Sequence, residues 1–298
     1  MVNVIAKAEQ VRIRCRQIAR SDIGAIVDLL AKGFPERGPQ YWARGLERQG
    51  ARRLPPGYPA YGYLLENAGV PVGVVLLLFA AVEADGKTTT RCNISSWYVE
   101  PAFRSHASQL IAMALKHKEV TYINVSPARH TWSTVEAQGF RSYSGGQFLA
   151  VAALSLSVAG AKLSEIEAGA SPQAYASIPE AELLVAHAGY GCLSLLCTAQ
   201  GQTYPFVFLP FTPRRGLLRL PCAQLVYCRD IGDFVRFSGV LGRFLLRRGA
   251  LFVALDANGP IKGLIGAYRE SWGRKYFKGP QAPRLGDLAF TELVLFGP

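Results

Sequence analysis

The sequence predicts an α/β protein built around mixed sheets, with two domains of similar plan. The first observation is that the segment Ser95–Phe140 follows the order strand, turn, helix, strand, helix. The second is that strand, helix and strand return at Gln224–Asp256 with comparable lengths. The composition suits packed cores, because half of the 298 residues are hydrophobic and only 18% are charged. That length is comfortable for two domains.

The N-terminal region reads as one strand, two helices and three further strands. The first strand is expected at Val11–Ile18, with Ser21 as the N-cap of a helix that stops at Gly33. A second helix or helical turn is expected within Phe34–Gln49, because its aromatic and leucine residues recur at helical spacing. The antiparallel strands that follow are predicted at Tyr61–Leu65, Val70–Phe79 and Arg91–Val99.

The turn after the third of these strands is the most informative part of the chain. Pro101 ends the strand, because proline cannot donate to a ladder, and Phe103–Gln109 opens a helix. Val120–Ser126 is predicted as a strand, and Pro127 as the start of a helix that stops at Gly139. Backbone N–H groups at such a helix start favour anions. A pyrophosphate at this turn would imply a nucleotide-bearing substrate.

This segment resembles the GNAT superfamily of acyl-CoA-dependent N-acyltransferases, whose members carry V-x-P-x-x-R-x-x-G-x-G/A at this turn. Val99, Pro101 and Arg104 match the first half of that pattern. Ala107 and Gln109 stand where the family has two small residues, and Gln109 departs most, because glycine there lets the backbone approach phosphates. The resemblance covers about residues 11–153.

The end of the segment matches the family in one respect and departs in another. The terminal pair Gly139-Phe140 matches. The position of the family's frequent general-acid tyrosine is Val135, which cannot protonate a departing thiolate. A closing hairpin is then expected, with strands at Phe140–Tyr143 and Phe148–Ala153 around a Gly145-Gly146 turn.

The resemblance implies transfer of an acyl group from acyl-CoA to an amine, with coenzyme A as the donor's carrier and no metal. The donor-binding residues it implies are Val99, Arg104, Ser105, His106, Ala107, Ser108, Gln109, Asn124 and Ser126. The turn can equally be an ordinary strand-to-helix connection, and Asn124 and Ser126 can be helix caps. Glu100 and His130 are candidates for the general base, or else surface residues.

The second half is predicted to be another GNAT-like domain. The expected division is a first domain at residues 1–157, an Ala-, Ser-, Gly- and Pro-rich linker at 158–182, and a second domain at 183–298. The strands predicted in the second domain are Cys192–Cys197, Tyr204–Leu209, Gln224–Cys228, Leu251–Asp256, Ile261–Tyr268 and Leu288–Leu295. A helix is expected at Ile231–Arg248. The polar segment Tyr268–Glu292 is either a pocket for a charged acceptor or plain surface.

The net charge of +12 has two readings. It can attract a polyanion, such as coenzyme A phosphates, an acidic acyl carrier protein, nucleic acid or an anionic membrane, or it can be a basic solubilising surface. Arg236, Arg243 and Arg247 share one helix face and suit an acidic carrier, or they form a solvated face. No motif singles out nucleic acid. The expected acceptor is an amine-bearing small molecule or peptide.

Cysteine, histidine and hydropathy patterns narrow the expected class of protein. The six cysteines include no C-x-x-C pair and the four histidines are isolated, so free thiols and no metal site are expected. The apolar runs are too short to cross a bilayer and no secretory signal is visible, which predicts a cytoplasmic protein. Gln109 and Val135 leave one alternative function open, a GNAT-like binding or interaction module without turnover.

Overall fold

The structure, a computed structural model, describes residues 12–84, 86–212, 214–215 and 218–297. The chain divides into two compact units, which meet in sequence at Val120 and Thr121. The predicted mixed α/β class is confirmed. The division differs from the one expected at residue 157, because the strands on both sides of that residue belong to the second unit. Val11, the expected start of the first strand, lies outside the described residues.

The described part of the first unit contains four antiparallel strands that follow one another in the sheet in chain order. The strands are β1 (Ile13–Gln17), β2 (Gly62–Asn67), β3 (Val70–Ala84) and β4 (Lys87–Val99). The helices are α1 (Ile23–Gly33), α2 (Pro39–Ala51) and α3 (Ala107–Ala114). β3 is buried along most of its length, and the helices bury the apolar side chains that recur at helical spacing, such as Ile26, Leu30 and Leu46.

Two details of α1 differ from expectation. Ser21 is not an N-cap, because Arg20–Asp22 forms a 3₁₀ turn and the Asp22 carboxylate accepts the Ala19 N–H at 2.7 Å. Gly33 does end the helix, but for a reason of packing. A Cβ atom there would lie 2.4 Å from the Tyr98 ring, so only glycine lets that ring pack against the helix end.

The second unit carries a larger sheet. Its strands are β5 (Thr121–Asn124), β6 (Arg141–Ala150), β7 (Lys162–Ile166), β8 (Leu193–Ala199), β9 (Gln202–Phe211), β12 (Cys222–Cys228), β13 (Phe252–Ala257) and β14 (Gly266–Lys278). Their order in the sheet is β5-β14-β6-β13-β12-β9-β8-β7. The short strands β10 (Arg214–Arg215) and β11 (Leu218–Arg219) pair with each other. β12 and β13 are parallel and joined by a helix, as the repeated pattern predicted.

Helices cover both faces of this sheet. They are α4 (Trp132–Ala137), α5 (Ala181–Gly189), α6 (Ile231–Arg247) and α7 (Glu292–Leu295). Neighbouring residues of β9 belong to different cores: Phe206 and Phe208 pack with α6, whereas Val207 packs with α5 and α7. Because side chains alternate along a strand, the two cores lie on opposite faces. This explains why β9 reads as a continuous apolar run.

Four predictions about the strands and the linker of the second unit are wrong. The strand expected at Ile261–Tyr268 begins only at Gly266 and continues to Lys278. The segment 158–182 is not simply a linker, since it contains β7, which pairs with β8. β6 runs straight through Gly145-Gly146, where a turn was expected. A Cβ atom at Gly146 would lie 2.3 Å from the Arg269 carbonyl oxygen, so glycine serves the close approach of β14. Leu288–Leu295 is not a strand, because its last residues form α7.

β14 is the strand that joins the two halves of the chain. It lies between β5 and β6, although it follows β6 by more than one hundred residues. In turn, β6 lies between β14 and β13. The sheet of the second unit therefore interleaves strands that come before residue 157 (β5 and β6) with strands that come after it (β13 and β14).

Candidate functional site

β4 ends in a distorted segment just before the turn of interest. The pairing with β3 shifts after Val75, so that Ser96 is an extra residue in β4, with a φ of 39°. Such a bulge leaves backbone groups unpaired and re-aims the side chains next to it. The Trp97 indole Nε1 is buried without a hydrogen-bond acceptor among the described residues, so a ligand carbonyl could use this donor. No pattern in the sequence indicated Trp97.

Arg104 follows in a 3₁₀ helix, Pro101–His106, that continues directly into α3. The helix therefore begins two residues earlier than predicted. The Ala107 N–H is used within it, since it donates to the Arg104 carbonyl oxygen. Within the described part of the chain, the Arg104 guanidinium is exposed and has no hydrogen-bond or ion-pair partner. Its charge is therefore available to a ligand.

The other residues of the turn lie beside Arg104 in one continuous segment. Ser105, Ser108 and Gln109 are exposed, whereas His106 and Ala107 are half-buried. Gln109 lies on the same side of the turn as His106, with Nε2 3.4 Å from the His106 Nδ1. Val99 is buried at the end of β4.

Glu100 is held in an ion pair, which bears on its expected role as a base. Its Oε1 atom lies 2.5 Å from the Lys32 Nζ, and its N–H donates to the Val72 carbonyl oxygen. The hydrogen bond to Glu100 raises the pKa of Lys32. Lys32 therefore occupies one of the two carboxylate oxygens that would take a proton from an amine.

The remaining predicted residues lie in the second unit, around the end of β5. Asn124 is the last residue of β5 and faces Tyr276 of β14 in the ladder. Ser126 is not a helix cap, because α4 begins only at Trp132 after a 3₁₀ turn, and the Ser126 hydroxyl donates to Glu292 at 2.5 Å. His130 is exposed in that 3₁₀ turn.

A tyrosine that the sequence did not single out lies in this region. Val135, at the position of the family's tyrosine, is buried in the core. The Tyr276 hydroxyl donates a hydrogen bond to the neighbouring Glu136 at 2.8 Å. Tyr276 is fully buried, and this burial is the main cause that raises its pKa. Strand position alone could not place a residue 140 positions away in the chain next to α4.

The equivalent turn of the second half has the opposite charge. β12 also carries a bulge, at Val226, and also leads into a helix. There Asp230 caps α6 by accepting the Gly232 N–H at 2.5 Å, and Asp233 lies in the first turn. Burial and the nearby Asp230 raise the pKa of Asp233. Two carboxyl groups at this helix start disfavour a phosphate.

The arginines predicted to form a water-facing stripe on α6 do not do so together. Arg236 donates to the Tyr204 hydroxyl at 3.1 Å and to the Gln200 Oε1 at 2.9 Å. Arg243 is half-buried and donates to the carbonyl oxygens of Ala153 and Ser155. Only Arg247 of the three has no partner of this kind among the described residues. Two of the three arginines therefore bind other segments of the chain, and in the described structure only the third presents its charge to solvent without such a partner.

Two further observations bear on the ligands. Among the described residues, none of the helices is both long and apolar enough to pass through a bilayer. The described side chains also do not bring together three or more His, Cys, Asp or Glu residues in a way that could hold a metal ion. All six cysteines are free thiols, as predicted.

Comparisons with known proteins connect this architecture to a fold. No protein-family model matches the sequence, and no curated protein matches it. Solved structures do match over both units. A GCN5-related N-acetyltransferase from Anabaena variabilis matches with a TM-score of 0.58 at 12% identity, over 89% of this chain and 72% of its own. One from Kribbella flavida matches with a TM-score of 0.55 at 13% identity, over 91% and 72%.

A third match has nearly the same extent as this chain. It is a protein from Pyrococcus horikoshii, with a TM-score of 0.56 at 13% identity, and the alignment covers 95% of this chain and 96% of the other. At such low identity the likeness concerns the fold. The expected fold is thus confirmed: this chain has the fold of the GCN5-related N-acetyltransferases.

Proposed function

We propose that this chain is an acyl-CoA-dependent N-acyltransferase whose donor site lies at the turn between β4 and α3. The observation that carries the proposal is Arg104, an exposed guanidinium without a partner in the described structure, at the start of a helix in a GNAT fold. The exposed Ser105 and Ser108 beside it offer hydroxyl donors to the same anion. Acetyl-CoA and long-chain acyl-CoA are both candidate donors, and an acyl carrier protein is a further one.

The second half supports the choice of the first turn by contrast. The equivalent helix start, on α6, already holds the Asp230 carboxylate on its amide and has Asp233 in its first turn. A pyrophosphate there would meet two acidic groups instead of an arginine. We therefore assign one donor site to each chain, in the first half.

The proposed reaction joins an amine to the acyl group of the thioester. The amine nitrogen attacks the thioester carbonyl, a C–N bond forms, the C–S bond breaks, and coenzyme A leaves as a thiol. The amine loses one proton to a base. Of the two candidates, Glu100 belongs to the unit of the donor turn and is paired with Lys32, whereas His130 is exposed in the second unit. Holding both reactants in place supplies a large part of the rate gain. Unpaired backbone groups near the bulge at Ser96 are candidates to polarise the carbonyl.

Charge reversal at Arg104 tests the donor site. Arg104→Glu places a carboxylate where the phosphates are expected, and should weaken acyl-CoA binding more than tenfold, about 1.4 kcal/mol or above. Calorimetric titration with acetyl-CoA and with a long-chain acyl-CoA measures the effect. Arg53→Glu is the matched control, because Arg53 is also an exposed arginine of the first unit and lies outside the turn.

Two results would count against this function. If Arg104→Glu binds acyl-CoA as tightly as the unaltered protein does, the donor site is elsewhere. If acyl-CoA binds but no coenzyme A is released with any amine, the alternative of a binding module without turnover is favoured. Gln109 and the buried Val135 are the two departures that would explain such a loss.

A further inference from the structure

Two arginines of the second unit share one indole ring. The Arg274 guanidinium carbon lies 4.4 Å from the centroid of the Trp132 ring, and that of Arg129 lies 5.7 Å from it. Arg129 and Trp132 come from the segment after β5, whereas Arg274 comes from β14. Stacking on an aromatic face orients a guanidinium and leaves its edge free to bind oxygen atoms.

Hydrogen bonds and one ion pair hold the segments that carry these three side chains. The Trp132 indole N–H donates to the Pro127 carbonyl oxygen at 3.2 Å. Arg274 belongs to an irregular stretch of β14, because the pairing with β6 skips from Glu270 to Lys275. The buried Lys275 amine donates to the Gly273 carbonyl oxygen at 2.9 Å and lies 2.8 Å from the Asp256 carboxylate. The ion pair thus fixes the backbone next to Arg274.

In the described structure neither arginine has a carboxylate partner at ion-pair distance, although Arg274 Nη2 donates to the Ser271 Oγ at 3.5 Å and a hydrogen bond with Tyr276 is the main cause that raises the pKa of Arg274. Within the described residues, no carboxylate lies within 4.0 Å of Arg129 or Arg274, whereas Arg16, Arg229 and Arg248 each have such a partner. The Arg274 Nε atom is also buried without a hydrogen-bond acceptor in that part of the chain. A buried donor without an acceptor suits an oxygen atom of a bound anion.

We infer that Arg129 and Arg274 bind an oxyanion of the acceptor, so that the acceptor is an amine that also carries a phosphate or carboxylate group. This inference rests on the proposed function for the role of the bound molecule, but the anion site stands on its own geometry. His130 follows Arg129 in the same 3₁₀ turn. An acceptor whose anion binds Arg129 would therefore lie beside the turn that also carries the candidate base His130. Guanidinium forks match both phosphate and carboxylate oxygens.

Three small amines separate the possibilities. Ethanolamine, O-phosphoethanolamine and β-alanine offer a neutral, a phosphate-bearing and a carboxylate-bearing acceptor of similar size. Release of coenzyme A is measured with each amine for the unaltered protein, Arg129→Gln and Arg274→Gln. The expected result is a lower KM for one or both anionic amines than for ethanolamine. Each variant should raise that KM at least tenfold, and it should change the KM for ethanolamine by a much smaller factor.

Calorimetric titration with inorganic phosphate tests the anion site without turnover. Arg269→Gln is the control, because Arg269 is an exposed arginine of β14 that stacks on no ring in the described structure. Phosphate binding should be lost in Arg129→Gln and Arg274→Gln and kept in the control. If that holds while no amine reacts, the anion site stands and the proposed function fails.

Two other outcomes overturn the inference. If acyl transfer occurs with equal KM values for the neutral and anionic amines, the proposed function stands but the inference of an anionic acceptor fails. A tenfold loss of acetyl-CoA affinity in Arg129→Gln and Arg274→Gln would assign the two arginines to the phosphates of the donor instead.

Discussion

At the scale of single residues, side chains decide which of two similar turns favours an anion. Both β4 and β12 carry a bulge near their ends and lead into a helix. Arg104 leaves the first turn positive, whereas Asp230 occupies an amide of the second. The backbone plan is shared, so the difference in expected ligand binding comes from these side chains.

The buried ion pair between Asp256 and Lys275 gives a prediction at this scale. Both side chains are 2% exposed, so removal of one charge leaves the other uncompensated in the core. Asp256→Ala should lower the free energy of unfolding by about 3–5 kcal/mol. The double variant Asp256→Leu with Lys275→Met should recover much of this loss. Urea unfolding followed by circular dichroism measures both variants, and a single variant as stable as the unaltered protein would contradict the expectation.

At the scale of elements, the chain segment after β6 crosses α6 at two glycines. A Cβ atom at Gly242 would lie 2.3 Å from backbone atoms of Ala152 and Ala153, and one at Gly239 would lie 2.4 Å from carbonyl oxygens of the same segment. Arg243 then donates to two of its carbonyl oxygens. The glycines in this helix therefore serve close packing, against the usual preference of a helix interior for alanine.

Replacing Gly242 tests this contact. Gly242→Ala should destabilise the second unit by about 1–3 kcal/mol or more, because the backbone it meets cannot move aside as a flexible side chain would. Gly189→Ala in α5 is the matched control, since a Cβ atom there meets nothing within 4 Å. The control should be neutral or slightly more stable. Thermal unfolding of the two variants decides, and equal melting temperatures would contradict the close contact.

At the scale of the whole molecule, the repeat in the sequence does not correspond to two separate sheets. β6 pairs with β13 and β14, and β5 pairs with β14, so strands from the two halves alternate in the second unit. Two domains divided near residue 157 would each lose a neighbour strand. Cooperative folding of the second unit therefore depends on the C-terminal half.

A fragment experiment tests this dependence. In the fragment of residues 1–157, the amides of β5 and β6 should exchange freely and the fragment should bind a hydrophobic dye, because these two strands lose the strands beside them. Addition of a fragment of residues 158–298 should restore protection of these amides. Hydrogen exchange in the full chain should show protected amides in Lys162–Ile166, where β7 pairs with β8. Protected β5 and β6 amides in the isolated first fragment would contradict the interleaved arrangement.

Much of the fold could be predicted from local patterns. The class, the helices α1 and α6, and the repeated strand-helix-strand unit follow from periodicity, which depends on residues a few positions apart. Arg104 as a candidate site residue followed from the family motif at a strand-to-helix turn. These features are visible in sequence because the contacts that produce them are local.

The tertiary structure alone decided which distant strands are neighbours. The polar stretch Tyr268–Glu292 was expected to lie between two strands as a pocket or plain surface, yet β14 runs into it and places Arg274 over Trp132. Gly145-Gly146 looked like a turn, yet its glycines make room for that same strand. Strand pairing brings residues together across more than one hundred positions, and each pairing is fixed by which faces are buried and which edges are filled. No local pattern carries that information, so both the stacked arginines and the Tyr276–Glu136 contact became visible only when the sheet was assembled.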